Sequence, residues 1–479
     1  MQRVLAVDQG TTATKAYTLD AEGRFEFCGM QDHPQLYPRS GWVEHDPRIL
    51  LRHIKKSIHT AEHIDAIGLD NQGETVVAWD GDSGEPVYNA IVWQDQRTAD
   101  VIESLKKDGA EAVTLDRAGL PLDPYFSAAK LHWILKNVPE AQRLLNRGRL
   151  KLGTSDSFFI ERLTGEYATD VTTASRTSLM NLKTCNWDPE LCRLFGIPME
   201  ILPEIRPTTA HFGYVHSNGK RIPLTASVVD QQAALMGHAC YDTGQTKVTF
   251  GTGVFALANV GESIHREPDR GILSTVAWQL NGRRPVYAVD AGIYNAGSAV
   301  NWVRKVGLFS DFDEIGAFEN RPAIERGVVF VPALSGLACP YWDRTATGLW
   351  VGLSLETSRR DLCQSVLEGI ALRTAQVLAA IAPVTGGQQD LSVDGGLINN
   401  AYFCQFLADT TRRNIIVPAS PDITTIGTGR FALIGCGLAK DTAGLPPAHA
   451  PRAVIHPREN LTHLLERFEE AVSRSRNWR

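Results

Sequence analysis

The sequence predicts an α/β protein made of two related halves. Strand-like apolar runs interleave with stretches of helical periodicity throughout the 479-residue chain, and such interleaving is typical of mixed α/β folds. A strand–turn–strand unit rich in glycine and threonine opens the chain, and a comparable unit follows about half the chain later. Because no shorter repeat is visible, we interpret the two units as the openings of two domains of similar length.

The first unit lies at the N-terminus. Residues 4–7 form an apolar, strand-like run, residues 8–14 (Asp-Gln-Gly-Thr-Thr-Ala-Thr) form a polar turn, and residues 15–19 alternate again. Two such runs around a turn that contains glycine predict a β-hairpin.

The second unit lies near the middle of the chain. Residues 247–250 lead into the Gly-Thr-Gly turn of residues 251–253, and residues 254–258 continue as another strand. We therefore predict an N-terminal domain of residues 1–240 and a C-terminal domain of residues 241–479.

Three further elements are predicted in the second half. Residues 393–397 form a third glycine-rich turn. Residues 366–384 are strongly apolar, but charged and amide side chains interrupt them, which favours a core helix over a membrane span. From Asn460 onward, apolar residues recur on one helical face, so the C-terminus is predicted to be a docked amphipathic helix.

The composition narrows the class of protein. The chain has 48 basic and 54 acidic residues and a net charge of −6, so it lacks the basic footprint of a nucleic-acid or anionic-membrane binder. Its eight cysteines form no Cys-x-x-Cys pair, which argues against a zinc knuckle or a dithiol redox motif. The first apolar run is too short for a signal peptide. We expect a cytoplasmic protein with reduced thiols.

The two glycine–threonine turns predict a phosphate site. Glycine allows close approach of the backbone to a phosphate, successive amides form an anion cradle, and threonine hydroxyls add donors. Two such turns, one in each half, would clamp a polyphosphate from both sides; the alternative is that they are ordinary hairpin turns. The sequence has neither of the common nucleotide-binding motifs. A P-loop has Ser or Thr after its Gly-Lys pair, but Arg221 follows Gly219-Lys220. A dinucleotide-binding motif opens a helix, but a strand follows the second turn.

Two acids accompany these turns. Asp8 lies in the first turn, where a carboxylate would repel a phosphate unless a cation such as Mg²⁺ lay between them. Asp230 follows an apolar pair and precedes a helical run. It is either a helix N-cap or the carboxylate that orients and deprotonates an accepting hydroxyl during phosphoryl transfer.

Longer motifs carry a resemblance over essentially the whole chain. They lie at residues 8–12 (DQGTT), 41–47 (GWVEHDP), 88–94 (YNAIVWQ), 123–127 (DPYFS), 230–235 (DQQAAL), 250–253 (FGTG) and 394–396 (DGG), with broader patterns at 126–137 and 348–368. By these motifs the chain resembles the FGGY family of carbohydrate kinases, and within it the glycerol kinases. The resemblance implies an α/β fold of two actin/hexokinase-like (ribonuclease H-like) domains around an ATP cleft.

The resemblance also implies roles for matching positions. The implied substrate-binding residues are Glu74, Trp93, Tyr125, Asp230, Gln231 and Phe255, with Asp230 as general base. The implied nucleotide-binding residues are Thr12, Lys15, Gly251, Thr252, Gly297, Asn301, Gly396 and Asn400. The implied ligands of Mg²⁺ are Asp8 and Asp230. A homodimer is a further expectation from the family.

Among the positions that depart from the family pattern, two bear on substrate and nucleotide binding. Gly73, directly before Glu74, stands where glycerol kinases have an arginine. The change removes up to five hydrogen-bond donors and a large side-chain volume, and the lost volume predicts a wider site. A larger polyol or a ketose (a tetritol, a pentitol, xylulose or ribulose) therefore remains an alternative substrate. Arg430 stands where the family has a small residue, and we expect it near the nucleotide base.

Taken together, the sequence predicts an ATP- and Mg²⁺-dependent kinase that phosphorylates a terminal hydroxyl of glycerol or a close polyol. Its partners would be small molecules, not nucleic acid or membrane. An actin-like regulatory ATPase is the alternative of another class, because it would use the same two turns. The hydroxyl-binding residues favour the kinase.

Overall fold

The computed structural model describes residues 2–319, 321–387 and 390–478. The strands of the first half are β1 (Arg3–Gln9), β2 (Ala13–Asp20), β3 (Phe25–Asp32), β4 (Glu44–His45), β5 (Ala66–Asn71), β6 (Val76–Asp80), β7 (Ala90–Ile91), β8 (Leu150–Thr154), β9 (Ala168–Asp170), β10 (Met180–Asn181), β11 (Asn186–Trp187), β12 (Glu204–Arg206), β13 (Tyr214–Ser217) and β14 (Lys220–Val229). Its helices are α1 (Pro47–Thr60), α2 (Ala99–Lys107), α3 (Glu111–Arg117), α4 (Ser127–Asn137), α5 (Pro139–Asn146), α6 (Ser155–Thr164), α7 (Val171–Ala174), α8 (Pro189–Leu194) and α9 (Asp230–Gly237).

The second half continues the alternation. Its strands are β15 (Thr246–Phe250), β16 (Val254–Gly261), β17 (Leu273–Trp278), β18 (Val286–Ile293), β19 (Val329–Val331), β20 (Leu349–Val351), β21 (Asp390–Gly395), β22 (Asn414–Val417) and β23 (Ala453–Ile455). Its helices are α10 (Gly297–Lys305), α11 (Arg359–Thr385), α12 (Ala401–Thr411), α13 (Ile423–Gly435) and α14 (Leu464–Ser475).

The two large sheets share a core of six strands in the same order when they are read from opposite ends, and the second sheet adds β17 at its edge. The strand order is β13-β14-β5-β1-β2-β3 in the first sheet and β17-β18-β16-β15-β21-β22-β23 in the second. In the first sheet β1 pairs antiparallel with β2 and parallel with β5. In the second, β15 pairs antiparallel with β16 and parallel with β21. Both predicted hairpins and the prediction of an α/β fold in two related halves are confirmed.

The first hairpin brings charged groups to one edge of its sheet. Residues 4–7 are completely buried, and a hydrogen bond from the Gly10 amide to the Ala13 carbonyl (3.0 Å) closes the turn. The strand register places Asp8 opposite Lys15 on β2 and beside Asp70 on β5. Two acids and a base therefore meet where β1 enters the turn.

Helix α13 belongs to the second half by sequence but packs on the first sheet and on α9. The hydroxyl of Thr225 on β14 donates to the carbonyl of Ala432 (3.2 Å). The buried guanidinium of Arg430 donates to the carbonyls of Met236 (3.0 Å) and Gly237 (3.1 Å) at the end of α9. Its guanidinium thus binds the carbonyl end of a neighbouring helix, and the expectation that Arg430 lies near the nucleotide base remains a prediction.

Helix α11 is the longest helix that the structure describes. Ser358 and Asp361 form a capping box at its start, and Gly386 ends it in a left-handed conformation. By length and composition it is apolar enough to cross a membrane, yet 78% of its apolar stretch is buried within the fold. The prediction of a core helix here is confirmed.

Candidate active site

Two neighbouring cavities contain most of the predicted site residues. The first, of about 230 Å³, is bordered by Trp93, Tyr125 and Phe255. The second, of about 590 Å³, is bordered by six of the eight predicted nucleotide residues: Gly251, Thr252, Gly297, Asn301, Gly396 and Asn400. Thr252 borders both cavities, so the second glycine–threonine turn forms the wall between them.

Aromatic rings connect the first turn with the second half. The Trp93 indole nitrogen donates to the hydroxyl of Thr11 in the first turn (3.1 Å). The same ring lies 5.7 Å from the ring of Tyr125 and 6.4 Å from that of Phe255, both edge to face. Phe255 lies just after the second turn. Both turns therefore open on the same cleft.

Arg176 and Asp290 bring charges to the border of the first cavity, and the buried Glu74 pairs with Arg176. Glu74 is 4% exposed and adopts a left-handed backbone (φ +46°), an unusual conformation for a residue other than glycine. Its carboxylate accepts a hydrogen bond from Nε of Arg176 (2.7 Å), which also pairs with Asp290 of β18 (3.0 Å). Sequence reasoning identified Glu74 but missed Arg176 and Asp290.

A buried lysine holds the loop that carries Tyr125. Lys130 is completely buried, and its ammonium donates to the carbonyls of Tyr125 (2.5 Å) and Phe126 (3.2 Å). Burial lowers the pKa of Lys130 to about 8, although Glu74 and Asp95 oppose that shift. The lysine fixes one side of the first cavity by binding backbone instead of projecting into it.

Asp230 and Gln231 begin helix α9, between the two halves. Asp230 retains some exposed surface, and protein encloses it on most sides. Burial, together with the charges of Glu74 and Asp8, raises the pKa of Asp230 to about 7. Gln231 accepts a hydrogen bond from Lys247, a buried lysine of β15 in the second half. Glu74, Asp230 and Gln231 lie beside the two cavities without bordering them.

The partly buried Asp8 and the completely buried Asp70 lie side by side on β1 and β5. Burial raises the pKa of both carboxyl groups, and the charge of Asp8 raises the pKa of Asp70 further. Thr425 donates to Asp8 (3.3 Å) and Thr428 donates to Asp70 (2.5 Å), both from α13. One oxygen of Asp70 has no partner among the described residues. Sequence reasoning missed Asp70, which lies near the end of a uniformly buried strand.

These acids fit a divalent cation. Raised pKa values mark uncompensated negative charge, which a cation would relieve. Among the described residues, no set of three or more His, Cys, Asp or Glu side chains is arranged to hold a metal ion by itself. Mg²⁺ commonly takes one or two carboxylates and completes its shell with phosphate and water oxygens.

Thr12 and Lys15 lie outside both cavities. Thr12 is exposed, and its carbonyl accepts a hydrogen bond from the His33 amide (3.0 Å). The Lys15 ammonium pairs with Asp422 (2.7 Å), directly before α13, and Asp422 also accepts a hydrogen bond from Tyr17 (2.5 Å). Lys15 thus connects the first hairpin to the second half, and its predicted contact with phosphate remains a prediction.

Asn400 has structural partners inside the second cavity. Its side-chain oxygen caps helix α12 by accepting from the Phe403 amide (2.8 Å), and its amide donates to the carbonyl of Ile315 (2.8 Å). These contacts fix its position. Gly297 begins α10 and Asn301 lies one turn later on that helix.

The space beside Gly73 is filled. A Cβ on Gly73 would lie 2.5 Å from Cγ2 of Val229, so the valine side chain occupies the volume that a larger residue at position 73 would enter. Gly73 borders neither cavity, so the wider site expected from this position remains a prediction.

Comparison with known proteins agrees with this geometry. Residues 3–237 match the N-terminal domain and residues 246–436 the C-terminal domain of the FGGY family of carbohydrate kinases. The glycerol kinase of Thermococcus onnurineus (strain NA1) is 38% identical over 99% of this chain and 98% of its own length. That of Alkalilimnicola ehrlichii is also 38% identical, over 100% of this chain and 99% of its own length.

Solved structures show the same fold. The crystal structure of Plasmodium falciparum glycerol kinase with ADP has a TM-score of 0.89 and 31% identity, and the match covers 99% of this chain and 98% of that one. A ligand-bound xylulose kinase from Lactobacillus acidophilus has a TM-score of 0.86 at 23% identity and supports the fold alone. With both halves matched and relatives similar along almost their whole length, the chain belongs to the FGGY family of carbohydrate kinases, which are ATP-dependent phosphotransferases.

Proposed function

We propose that this enzyme transfers the terminal phosphoryl group of ATP to a terminal hydroxyl of glycerol. The observation that carries the proposal is the position of Thr252 between two cavities. The larger cavity is bordered by six of the eight predicted nucleotide residues, and the smaller one is lined by aromatic rings beside buried charges. The glycerol kinases among the relatives support glycerol as the polyol.

The transfer needs an oriented alcohol in a dry site. Asp230 orients the hydroxyl and accepts its proton, the hydroxyl oxygen bonds to the γ-phosphorus, and the bond to the β,γ-bridging oxygen breaks to release ADP. Because the transition state is loose, positioning contributes most of the catalysis. Trp93 and Phe255 pack against the carbon chain and exclude water, which is a competing acceptor.

Asp8 and Asp230 are the residues that would hold Mg²⁺. The ion supplies positive charge that neutralises the phosphate oxygens during transfer. The chain contributes two carboxylates whose buried charge is otherwise poorly compensated.

The direct test is ADP release in the presence and absence of polyols. We expect ADP to form with glycerol in a one-to-one ratio with a phosphate ester, and to form slowly without a polyol. ADP release that no polyol or sugar accelerates would contradict the kinase and favour the actin-like ATPase.

A substrate panel tests the larger-substrate alternative. Because Val229 fills the space beside Gly73, we expect glycerol to exceed tetritols, pentitols, xylulose and ribulose in kcat/KM. A pentitol or ketose with the highest kcat/KM would contradict glycerol as the preferred substrate and restore the alternative.

The cellular setting is part of the proposal. All eight cysteines are free thiols, which supports a reducing compartment, and we place the enzyme in the cytoplasm, where it acts on small molecules. The absence of a nucleic-acid or membrane partner and the homodimer remain predictions from the sequence.

We expect kcat/KM for the polyol to rise with pH and to level off once Asp230 is ionised. A general base acts in its ionised form, and burial raises the pKa of Asp230 to about 7. A bound cation would lower this pKa, and below the resulting value the protonated fraction grows, so kcat/KM falls about tenfold per pH unit. The measurement is initial rate against pH with ATP saturating. A profile that is flat on the acidic side would contradict Asp230 as the base.

We expect Gly396→Ala to weaken nucleotide binding without loss of stability. Gly396 borders the second cavity, and a Cβ there would meet no protein atom within 4 Å, so the methyl group would project into open cavity space. We expect the conflict between this methyl group and the bound nucleotide to raise the KM for ATP about tenfold. The measurements are KM for ATP and for glycerol and the thermal unfolding midpoint. An unchanged KM for ATP would remove Gly396 from the nucleotide wall.

A further inference from the structure

Arg176 connects the two halves at the wall of the first cavity. It is 4% exposed and follows the short helix α7. Its Nε donates to Glu74 of the first half (2.7 Å), and its Nη2 pairs with Asp290 of the second half (3.0 Å). Burial alone would lower the pKa of Arg176, but the charges of Glu74 and Asp290 outweigh it, so the guanidinium stays charged.

One nitrogen of the Arg176 guanidinium makes no hydrogen bond to the described residues. This nitrogen, Nη1, is buried, while Arg176 and Asp290 both border the first cavity. A buried, charged donor without an acceptor is costly. A hydroxyl group in the cavity would satisfy it.

The rings beside Arg176 hold the guanidinium in place. Its central carbon lies 5.7 Å from the centre of the Tyr125 ring and 5.4 Å from that of Phe126. Two carboxylates and two rings therefore fix the plane of the fork. Such a preorganised fork loses little entropy when it binds.

Comparison with its neighbours indicates that Arg176 is the arginine placed to bind a polyol in the first cavity. Gly73 contributes no side chain, and Val229 fills the space beside it. Arg344 also borders the cavity, but it pairs with Asp123 (2.8 Å), stacks on Tyr294 and is much more exposed. Arg176 is the arginine that contacts Glu74.

We propose that Arg176 is a substrate-binding residue that determines specificity, with Nη1 donating to a polyol hydroxyl other than the one that is phosphorylated. This inference rests on the proposed function, because it assumes a polyol in the first cavity. A site built to bind a hydroxyl strongly rejects an analogue that lacks it, since the buried donor is then left unpaired.

Deoxy analogues of glycerol test the proposal. 1,3-Propanediol lacks the central hydroxyl, and 1,2-propanediol lacks one terminal hydroxyl. In Arg176→Met we expect kcat/KM for glycerol to fall about 10- to 100-fold, and the preference for glycerol over one of these two diols to collapse. We expect the KM for ATP to stay within about twofold, because Arg176 does not border the second cavity.

Arg117→Met is the matched control. Arg117 also bridges two carboxylates, those of Asp188 (2.9 Å) and Glu190, but it lies outside both cavities. We expect its substitution to leave the glycerol-to-diol ratios unchanged. Should Arg176→Met fail to fold, Arg176→Lys keeps a positive charge between the two acids but loses the fork, and it should still relax the preference.

The outcomes separate the two proposals. A loss in the Arg176 variants that is equal for glycerol and both diols would show a purely structural role and overturn the inference. If the wild-type enzyme rejects glycerol, the proposed substrate is wrong, and the same ratios are then measured with the polyol that the panel identifies and its deoxy analogues. If the Arg176 substitutions leave those ratios unchanged, the proposed role of Arg176 is overturned as well.

Discussion

Replacing Asp230 with asparagine is expected to lower kcat about 1,000-fold, within the range for loss of a general base. Asparagine keeps the size of the side chain and one acceptor oxygen but cannot accept the proton of the alcohol. Asp230 lies at the start of α9, beside Glu74 and Asp8, and burial raises its pKa to about 7, a value suited to proton acceptance near neutral pH. The measurements are single-turnover transfer to glycerol and calorimetric binding of ADP.

ADP binding separates a chemical effect from misfolding. The second cavity is lined by residues of the second half, so we expect ADP affinity within about twofold of wild type and an unchanged unfolding midpoint. The acidic limb of the pH profile should disappear from the residual activity. Turnover within tenfold of wild type would remove Asp230 from the mechanism.

Gly427→Ala is expected to destabilise the enzyme by about 3 kcal/mol, the upper end of overpacking effects. A Cβ on Gly427 of α13 would come well inside van der Waals contact of the Ala233 carbonyl on α9. Neither atom belongs to a flexible side chain, so the two helices must move apart. Because α9 begins with Asp230, we also expect kcat to fall about 100-fold from the displacement of that group.

Gly429→Ala provides the comparison within the same helix. A Cβ on Gly429 would meet the end of the Leu19 side chain at 2.9 Å, and a leucine can change rotamer. We expect a loss of about 1 kcal/mol with nearly normal kcat. The measurement is the urea midpoint of unfolding together with steady-state kinetics. Equal effects of the two substitutions would contradict the proposed contact between the backbones of α9 and α13.

The sequence predicted the parts of the fold that depend on local pattern. The hairpins around Gly10 and Gly251 follow from alternating residues beside glycine-containing turns, and the strand pairing of both halves agrees with that prediction. Helix α13 was harder to place, because nothing in its own sequence shows that it leaves its half to pack on β14 and α9. The partners of Arg430 were missed for the same reason, since Met236 and Gly237 lie almost 200 residues earlier.

The site was predicted where motifs are contiguous and missed where the chain assembles it from separate segments. Trp93, Tyr125 and Phe255 border the first cavity, and the second turn borders both. The sequence did not identify Arg176, because its partner Glu74 lies 102 residues earlier and no motif spans both residues. Asp70 is the second-last residue of a strand in which every residue is buried, and this pattern predicts burial but not the nearness of Asp8.

A crystal structure with a non-hydrolysable ATP analogue and glycerol would show whether the two glycine–threonine turns hold one triphosphate next to the polyol. We expect the adenosine in the second cavity, the terminal phosphate beside Thr252 between the two turns, and a glycerol hydroxyl within hydrogen-bond distance of both Asp230 and that phosphate. Phosphates that lie away from Thr252, or glycerol bound outside the cavity of Trp93, Tyr125 and Phe255, would contradict this expectation.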